Sequence, residues 1–401
     1  MAERGTSWAD ARALAHRLGA RTPSAIRDLA IAEALGAVLA ADLRSPIALP
    51  QRQTSAMDGW AVAGAAPWRI GAGTVAGDAP PTKRLAPGTA RPTATGAALP
   101  PGAVGVVRTE HGTVMSPEAS PDERWLWLTD ARADYPVPAG NDVRPRGEEV
   151  DEGELVLRAG TILTPPRLAL AASIGCDRVA VRVAPRVQVL VTGAEVVAAG
   201  VPAPGQVRDA LGPVLPTMVA AAWADCAEPL VIGDDRASIA EAIRSATAPL
   251  VIVTGGTARG PADHLRDALA DCGASIRVDG VRMRPGHPVM IATVDGRTIL
   301  ALPGNPLAAI VGFASFGTAI IAAMMGQPLP PLGRVIAGAE IANPHGDSRI
   351  VAVRRDGVAV VPCAWQGSGM VRGLADAEAF VVVPPGGVAS GGVLDELPLP
   401  W

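Results

Sequence analysis

Residues 298–309 read Thr298-Ile299-Leu300-Ala301-Leu302-Pro303-Gly304-Asn305-Pro306-Leu307-Ala308-Ala309. An apolar run passes through a Pro-Gly-Asn-Pro turn straight into a second apolar run, which is the pattern of a strand feeding a helix. Asn305 suits an N-cap, and Pro306 suits the first helical position, where a missing N–H is no loss. Gly304 opens backbone angles closed to other residues and leaves room beside the main chain. A helix N-terminus at the carboxyl end of a strand offers N–H groups and partial positive charge to an anion. The same joint also serves packing alone in many α/β proteins.

Two upstream runs end in the same way. Val187-Gln188-Val189-Leu190-Val191 stops at Thr192-Gly193, and Leu250-Val251-Ile252-Val253 stops at Thr254-Gly255-Gly256. Segments with helical spacing, 237–246 and 263–271, lie between them. Continuous apolar strands separated by helices predict a parallel sheet covered on both faces, a three-layer α/β unit. Its glycine turns then share the carboxyl edge, where such sheets bind ligands.

Working outward, 401 residues with 49% hydrophobic content predict several domains, each able to bury a core. Residues 1–48, helix-like at Ala34 to Ala40, together with 140–183 form a helical and linker domain; 49–139, punctuated by Gly, Pro and Thr around Val104-Gly105-Val106-Val107 and Trp125-Leu126-Trp127-Leu128, form a small β-rich domain. The α/β unit spans 184–327. Residues 328–401, with Asp356-Gly357 between two β runs, form a β-barrel-like domain or sandwich. The segment Leu307 to Met325 is long and uncharged enough to cross a bilayer, but it follows a strand and lacks flanking Lys or Arg, so it reads as a buried core helix.

Net charge is −4, which gives no field toward nucleic acid or anionic membranes. Lys83 is the only lysine, so an arginine at a functional position reflects compositional bias as readily as design. Cys176, Cys226, Cys272 and Cys363 are isolated and form no metal motif. The N-terminal stretch has no apolar leader, and a cytoplasmic setting is expected.

Familiar catalytic devices are absent: there is no Walker loop, no H-E-x-x-H, and no G-x-S-x-G around Ser368. Gly71-x-Gly73-x-x-x-Gly77 has the wrong spacing for a dinucleotide fingerprint. What remains are carboxylates and arginines beside glycine turns. Asp58 in Ser55-Ala56-Met57-Asp58-Gly59-Trp60-Ala61 is either a turn residue or a ligand. Asp234 and Asp235 either bind a hard cation or cap the next helix, and Asp263 poses the same choice. Arg282, Arg284 and His287 surround a basic turn suited to an oxyanion or simply to solvent. Together the set suits a phosphorylated substrate bridged by Mg²⁺.

The motifs SAMDGWAV, VRPRGEEV, VTGAEVV, TGGTARGPAD, MRPGHP and LPGNPLAA stand in one order across most of the chain. In that order they resemble the molybdopterin molybdenumtransferase family, the bacterial MoeA proteins to which a domain of gephyrin is related. The resemblance implies a four-domain subunit, a homodimer with its cleft between subunits, and Mg²⁺-dependent insertion of molybdate into adenylylated molybdopterin with release of AMP. It implies Asp58, Glu195, Asp235 and Asp263 as catalytic acids, with Asp58, Glu149 and Asp263 as metal carboxylates. Arg144, Arg146, Arg284, His287 and Ser368 would hold anions, and Gly255, Gly256, Gly304 and Asn305 would shape the pterin-nucleotide pocket. Transient contact with other molybdenum cofactor proteins would follow; nucleic acid and membrane would not be partners.

The chain departs from the pattern at Trp60, Ala194, Ala210, Leu211, Arg259 and His287, where relatives carry tyrosine, aspartate, serine, asparagine, a Val-Ser-Val-Gly loop and lysine. These changes leave a second reading, a diverged member that binds a pterin, nucleotide or protein partner without turnover. A third is an Mg²⁺-dependent pyrophosphatase acting on another adenylylated compound.

Overall fold

The computed structural model describes residues 5–74, 76–118, 120–129, 137–257 and 263–401. At its centre a seven-stranded sheet carries the strands Arg186–Val191, Leu250–Thr254 and Arg297–Leu302 side by side and parallel. The sheet is mixed. Met290–Val294 runs antiparallel to Arg297–Leu302, and Ser275–Asp279 runs antiparallel to Met290–Val294. Two separate apolar clusters cover its faces, one around Ile239, Ile243, Leu265 and Leu269, the other around Leu300, Phe313, Phe316 and Ile320. Burial on both faces explains why these strands are continuously apolar rather than alternating.

The helical run from Pro306 to Met324 is long and apolar enough to cross a membrane, yet 94% of its apolar window is buried inside the protein. It is a core helix, as its position after a strand and a Pro-Gly turn predicts. The helix Trp8–Gly19 lies against it, with Trp8 Nε1 donating to Ser315 Oγ at 3.0 Å. The two backbones meet at Gly19, where a Cβ would stand 2.2 Å from the Ile320 carbonyl oxygen. This first helix therefore packs into the α/β core, whereas the sequence groups it with the N-terminal domain.

Residues 34–40 are not helical. Gly36 takes φ +76°, which breaks the helix, and the buried pair Val38–Leu39 joins Ile26–Ala30 and Arg178–Arg182 in a three-stranded sheet. The β-rich region forms a six-stranded sheet in which Gly59–Ala63 lies between Thr89–Thr93 and Gly105–Arg108. Gly59 is required there, because a Cβ would come within 2.0 Å of the Val107 carbonyl oxygen.

The C-terminal strands Gly333–Ala337, Ser348–Asp356, Ala359–Pro362, Ala379–Val383 and Val393–Leu397 close into a five-stranded barrel, since Ser348–Asp356 pairs with both Ala359–Pro362 and Ala379–Val383. A short strand of the central unit, Val281–Arg284, pairs in parallel with the barrel strand Ser348–Asp356, and Thr6–Ser7 pairs on its other side.

Overpacking a close helix contact costs about 1–3 kcal/mol. Gly19→Ala is expected to destabilise by about that amount in denaturant unfolding, while Gly346→Ala, which meets open space, stays within about 0.5 kcal/mol.

Candidate functional site

The strand pairing fixes the site. Met283 is opposite Ser348 and Arg284 is opposite Arg349, so two arginines from different parts of the chain stand side by side. Like charges directly opposite one another are unfavourable unless something negative joins them. Asp347 compensates weakly, with an oxygen 3.9 Å from Arg284 Nε. Below the two arginines lies a cavity of about 330 Å³, lined also by His287, His345, Asn305 and Ser368.

Each wall has a local cause. His287 follows the Pro285-Gly286 turn, and its Nδ1 donates to the Val281 carbonyl at 2.8 Å, because a carbonyl can only accept. That bond leaves Nε2 as the free ring nitrogen. Asn305 occupies the N-cap position of the core helix, but its side chain does not cap. Instead its Nδ2 donates to Ser368 Oγ at 3.2 Å, and the Ala308 N–H donates to the Ser368 carbonyl at 3.1 Å. The loop from the barrel thus takes one of the N–H groups the sequence offers to an anion. Gln366 holds that loop through bonds to both the N–H and the carbonyl of Ala352.

At the carboxyl edge of the sheet, Gly255 (φ +93°) and Gly304 come together, and a Cβ on Gly304 would lie 3.7 Å from Gly255 Cα. A side chain on Gly255 would meet Thr192 Oγ1 at 2.6 Å. Gly256 follows at φ +60°. This bare main chain can approach a flat or phosphorylated ligand closely.

The acidic residues stand elsewhere. Asp58 precedes the strand Gly59–Ala63, and its Oδ1 accepts from the Thr95 N–H at 2.7 Å and from Thr95 Oγ1 at 3.0 Å. Those two bonds, the backbone one first, hold the Asp58 carboxyl below the usual carboxylate range although it is exposed. Arg144 is in the strand opposite Thr54, a short way before Asp58, whereas Arg146 pairs with Glu152 at 3.0 Å. Glu149 is exposed. Glu195 is exposed on a turn whose carbonyl accepts from Val207. Asp235 caps the helix Arg236–Ser245, its oxygens accepting from the Ser238 N–H at 2.9 Å and hydroxyl at 2.6 Å, and those bonds lower its pKa. The capping alternative is therefore the one the geometry takes. Asp263 is half-buried just before Leu265–Asp271 and is engaged with neighbouring groups. Arg259 lies outside the described residues. Among the described residues, no three His, Cys, Asp or Glu side chains form a metal-holding group, so Asp58, Glu149 and Asp263 are not gathered within one chain.

Family models described as the MoeA N-terminal region (domain I and II), a probable molybdopterin binding domain and the MoeA C-terminal region (domain IV) match residues 6–175, 188–323 and 334–399. Molybdopterin molybdenumtransferase 2 of Mycobacterium tuberculosis is 31% identical over 380 residues, covering 88% of this chain and 90% of that protein. The chain belongs to the MoeA family. Membership places it among the transferases of molybdenum cofactor biosynthesis. Molybdopterin molybdenumtransferase of Synechococcus elongatus is 30% identical, with 82% of each chain covered. A MoeA protein of Pyrococcus horikoshii has the same fold, with a TM-score of 0.81 at 24% identity over 99% of both chains.

Within this MoeA fold the sequence reading missed Arg349, His345 and Gln366. No spacing links them to Arg284; only the strand pairing does. Gln366 was visible as the residue two before Ser368, but its role is to pin the loop.

Asp58 is expected to titrate below an ordinary aspartate in an NMR pH titration. Thr95→Val removes the hydroxyl bond, leaves the larger backbone contribution, and should raise that value part of the way; an unmoved titration would contradict the assignment. A depressed folded-state pKa contributes stability above the unfolded-state value, and this is lost as pH falls through the depressed one.

Proposed function

We propose that the chain inserts molybdate into adenylylated molybdopterin, with release of AMP, and that the cavity beneath Arg284 and Arg349 is the molybdate seat. The observation that carries this reading is the register that sets those two arginines side by side above His287 and Ser368. A tetrahedral dianion relieves their repulsion, accepts their planar N–H groups and reaches the Ser368 hydroxyl. The bare Gly255 and Gly304 backbone lies next to this seat and suits the pterin-nucleotide part of the substrate.

In this reading Asp58 and Asp263 serve the anhydride-cleaving half of the reaction, and Arg144 holds phosphate. The family resemblance implies Mg²⁺, but the described carboxylates of one chain do not fit a protein-built cage for it. No step is assigned to the metal. A homodimer would bring the β-rich region of one subunit, with Asp58, to the oxyanion pocket of the other. The four-part division at 48, 139, 183 and 327 and a cytoplasmic setting belong to the same proposal.

One observation favours the non-catalytic alternative. Leu211, where relatives carry asparagine, is buried in the main core, and Asp209 turns back to accept from the Leu211 and Gly212 N–H groups at 2.9 and 2.8 Å. Polar reach toward a ligand has been exchanged there for packing.

Incubation with adenylylated molybdopterin, Mg²⁺ and molybdate, followed by measurement of AMP and protein-bound molybdenum, tests the proposal. Both products are expected. AMP without molybdenum supports the pyrophosphatase reading, and neither product supports the non-catalytic one. Arg349→Ala should raise the half-saturating molybdate concentration about tenfold or more, the scale of a lost charge-assisted hydrogen bond. His287→Lys replaces an imidazole with a permanent cation and should lower it severalfold at pH 8. Asp58→Ala should abolish AMP release while leaving molybdate binding intact.

A further inference from the structure

A second basic cavity lies in the β-rich region, unconnected with the oxyanion pocket. It is larger, about 680 Å³, and its walls carry Arg69, Lys83, Arg84, Arg91 and Arg124. Only Asp122 and Glu123 oppose them, a surplus of three positive charges in a chain whose net charge is −4. The one lysine of the whole sequence is among them.

The sheet explains the convergence. Arg69 is opposite Thr89, and Arg91 is two residues further along the same strand, so both arginines stand on one face. The neighbours Trp68 and Ala90 point to the other face and are buried in the core. Arg69 has a loose partner in Glu123 at 3.7 Å, with both side chains well exposed. Arg91 donates from Nη2 to the Gly73 carbonyl at 3.3 Å, while its Nε is buried with no hydrogen-bond partner.

The rim is made of small residues. Gly71, Ala72 and Ala86 leave the main chain accessible, and no aromatic ring is among the described residues lining the cavity to stack on a base. The unassigned glycine segment therefore edges an arginine-rich cleft at Gly71, with Gly73 holding Arg91, a combination suited to phosphate oxygens rather than to a nucleobase. Asp58 is not among its lining residues: the nearest wall residue on this strand pair, Arg91, is opposite Ala61, three residues beyond Asp58 and about 10 Å along the strand at ~3.3 Å per residue.

We propose that this cleft binds a small multiply charged phosphate anion of the pyrophosphate or tripolyphosphate type, independently of the substrate pocket. The test is calorimetric titration of tripolyphosphate into the full-length protein carrying Arg284→Ala and Arg349→Ala, so that the oxyanion pocket is disabled. Saturable binding at one site per chain is expected, with inorganic monophosphate weaker by about tenfold or more. Adding Arg84→Glu and Arg124→Glu, both at exposed positions, should weaken tripolyphosphate by at least about tenfold with an unchanged thermal midpoint. If that pair lowers the midpoint, Lys83→Gln with Arg124→Gln replaces it, and the same loss of affinity is required. Non-saturable binding, or affinity unchanged by the charge reversals, overturns the proposal. Displacement of tripolyphosphate by a polyglutamate peptide at lower concentration also overturns it, since the natural ligand would then be an acidic protein segment.

Discussion

The parallel pairing of Val281–Arg284 with the barrel strand Ser348–Asp356 is the constraint on which the site depends. Backbone hydrogen bonds hold the pairing and the burial of Met283 and Ile350 fixes its register, which then sets Arg284 beside Arg349. No single segment could produce that juxtaposition, because the two residues are far apart in sequence and only the docking of the barrel brings them together. The repulsion is tolerated because the pair is exposed on one side, partly offset by Asp347, and open to an anion. Because the pair stays open to solvent, it avoids the desolvation cost that a buried cation pair would carry.

The Pro303 to Pro306 turn anchors the opposite wall. Its helix is held by burial along nearly its whole length, so the turn cannot drift relative to the sheet. Rigidity has a consequence for chemistry, because the Ala308 N–H is already committed to Ser368. The helix N-terminus therefore acts mainly by fixing the barrel loop and presenting Asn305 and Ser368, with its partial charge added to that of the arginines. The sequence offers both the helix end and the side chains of Arg284, His287 and Ser368 to an anion; in the structure the Ala308 N–H at the helix end is taken by the Ser368 carbonyl.

What was legible in the sequence follows from the range of the interactions involved. Strands such as Leu250–Thr254 announce themselves by continuous apolarity, and the glycine turns after them by local backbone demands, so the α/β unit and its ligand edge could be read directly. The Asp356-Gly357 turn likewise gave its hairpin. Residues 34–40 misled because Ala, Leu and Val at helical spacing also fit a short buried strand, and only pairing with Arg178–Arg182 decides between them. Asp235 illustrates a different gap: a cap and a metal carboxylate need the same residue at the same place, and the Ser238 bonds that separate them are visible only in three dimensions. Arg349 had no local signature at all, since its place beside Arg284 is created by register.

The distribution of the departures from the family pattern follows the same division. Ala194 and Leu211 belong to segments near Glu195 and Asp209, while the oxyanion walls at Arg284, Asn305 and Ser368 retain groups able to hold a tetrahedral anion. A residue such as Leu211 that has entered the core is held by packing, and restoring asparagine there would place an amide among apolar neighbours, where an unpaired polar group is costly. The substitution is thus structurally locked in a way that His287, exposed at the pocket rim, is not.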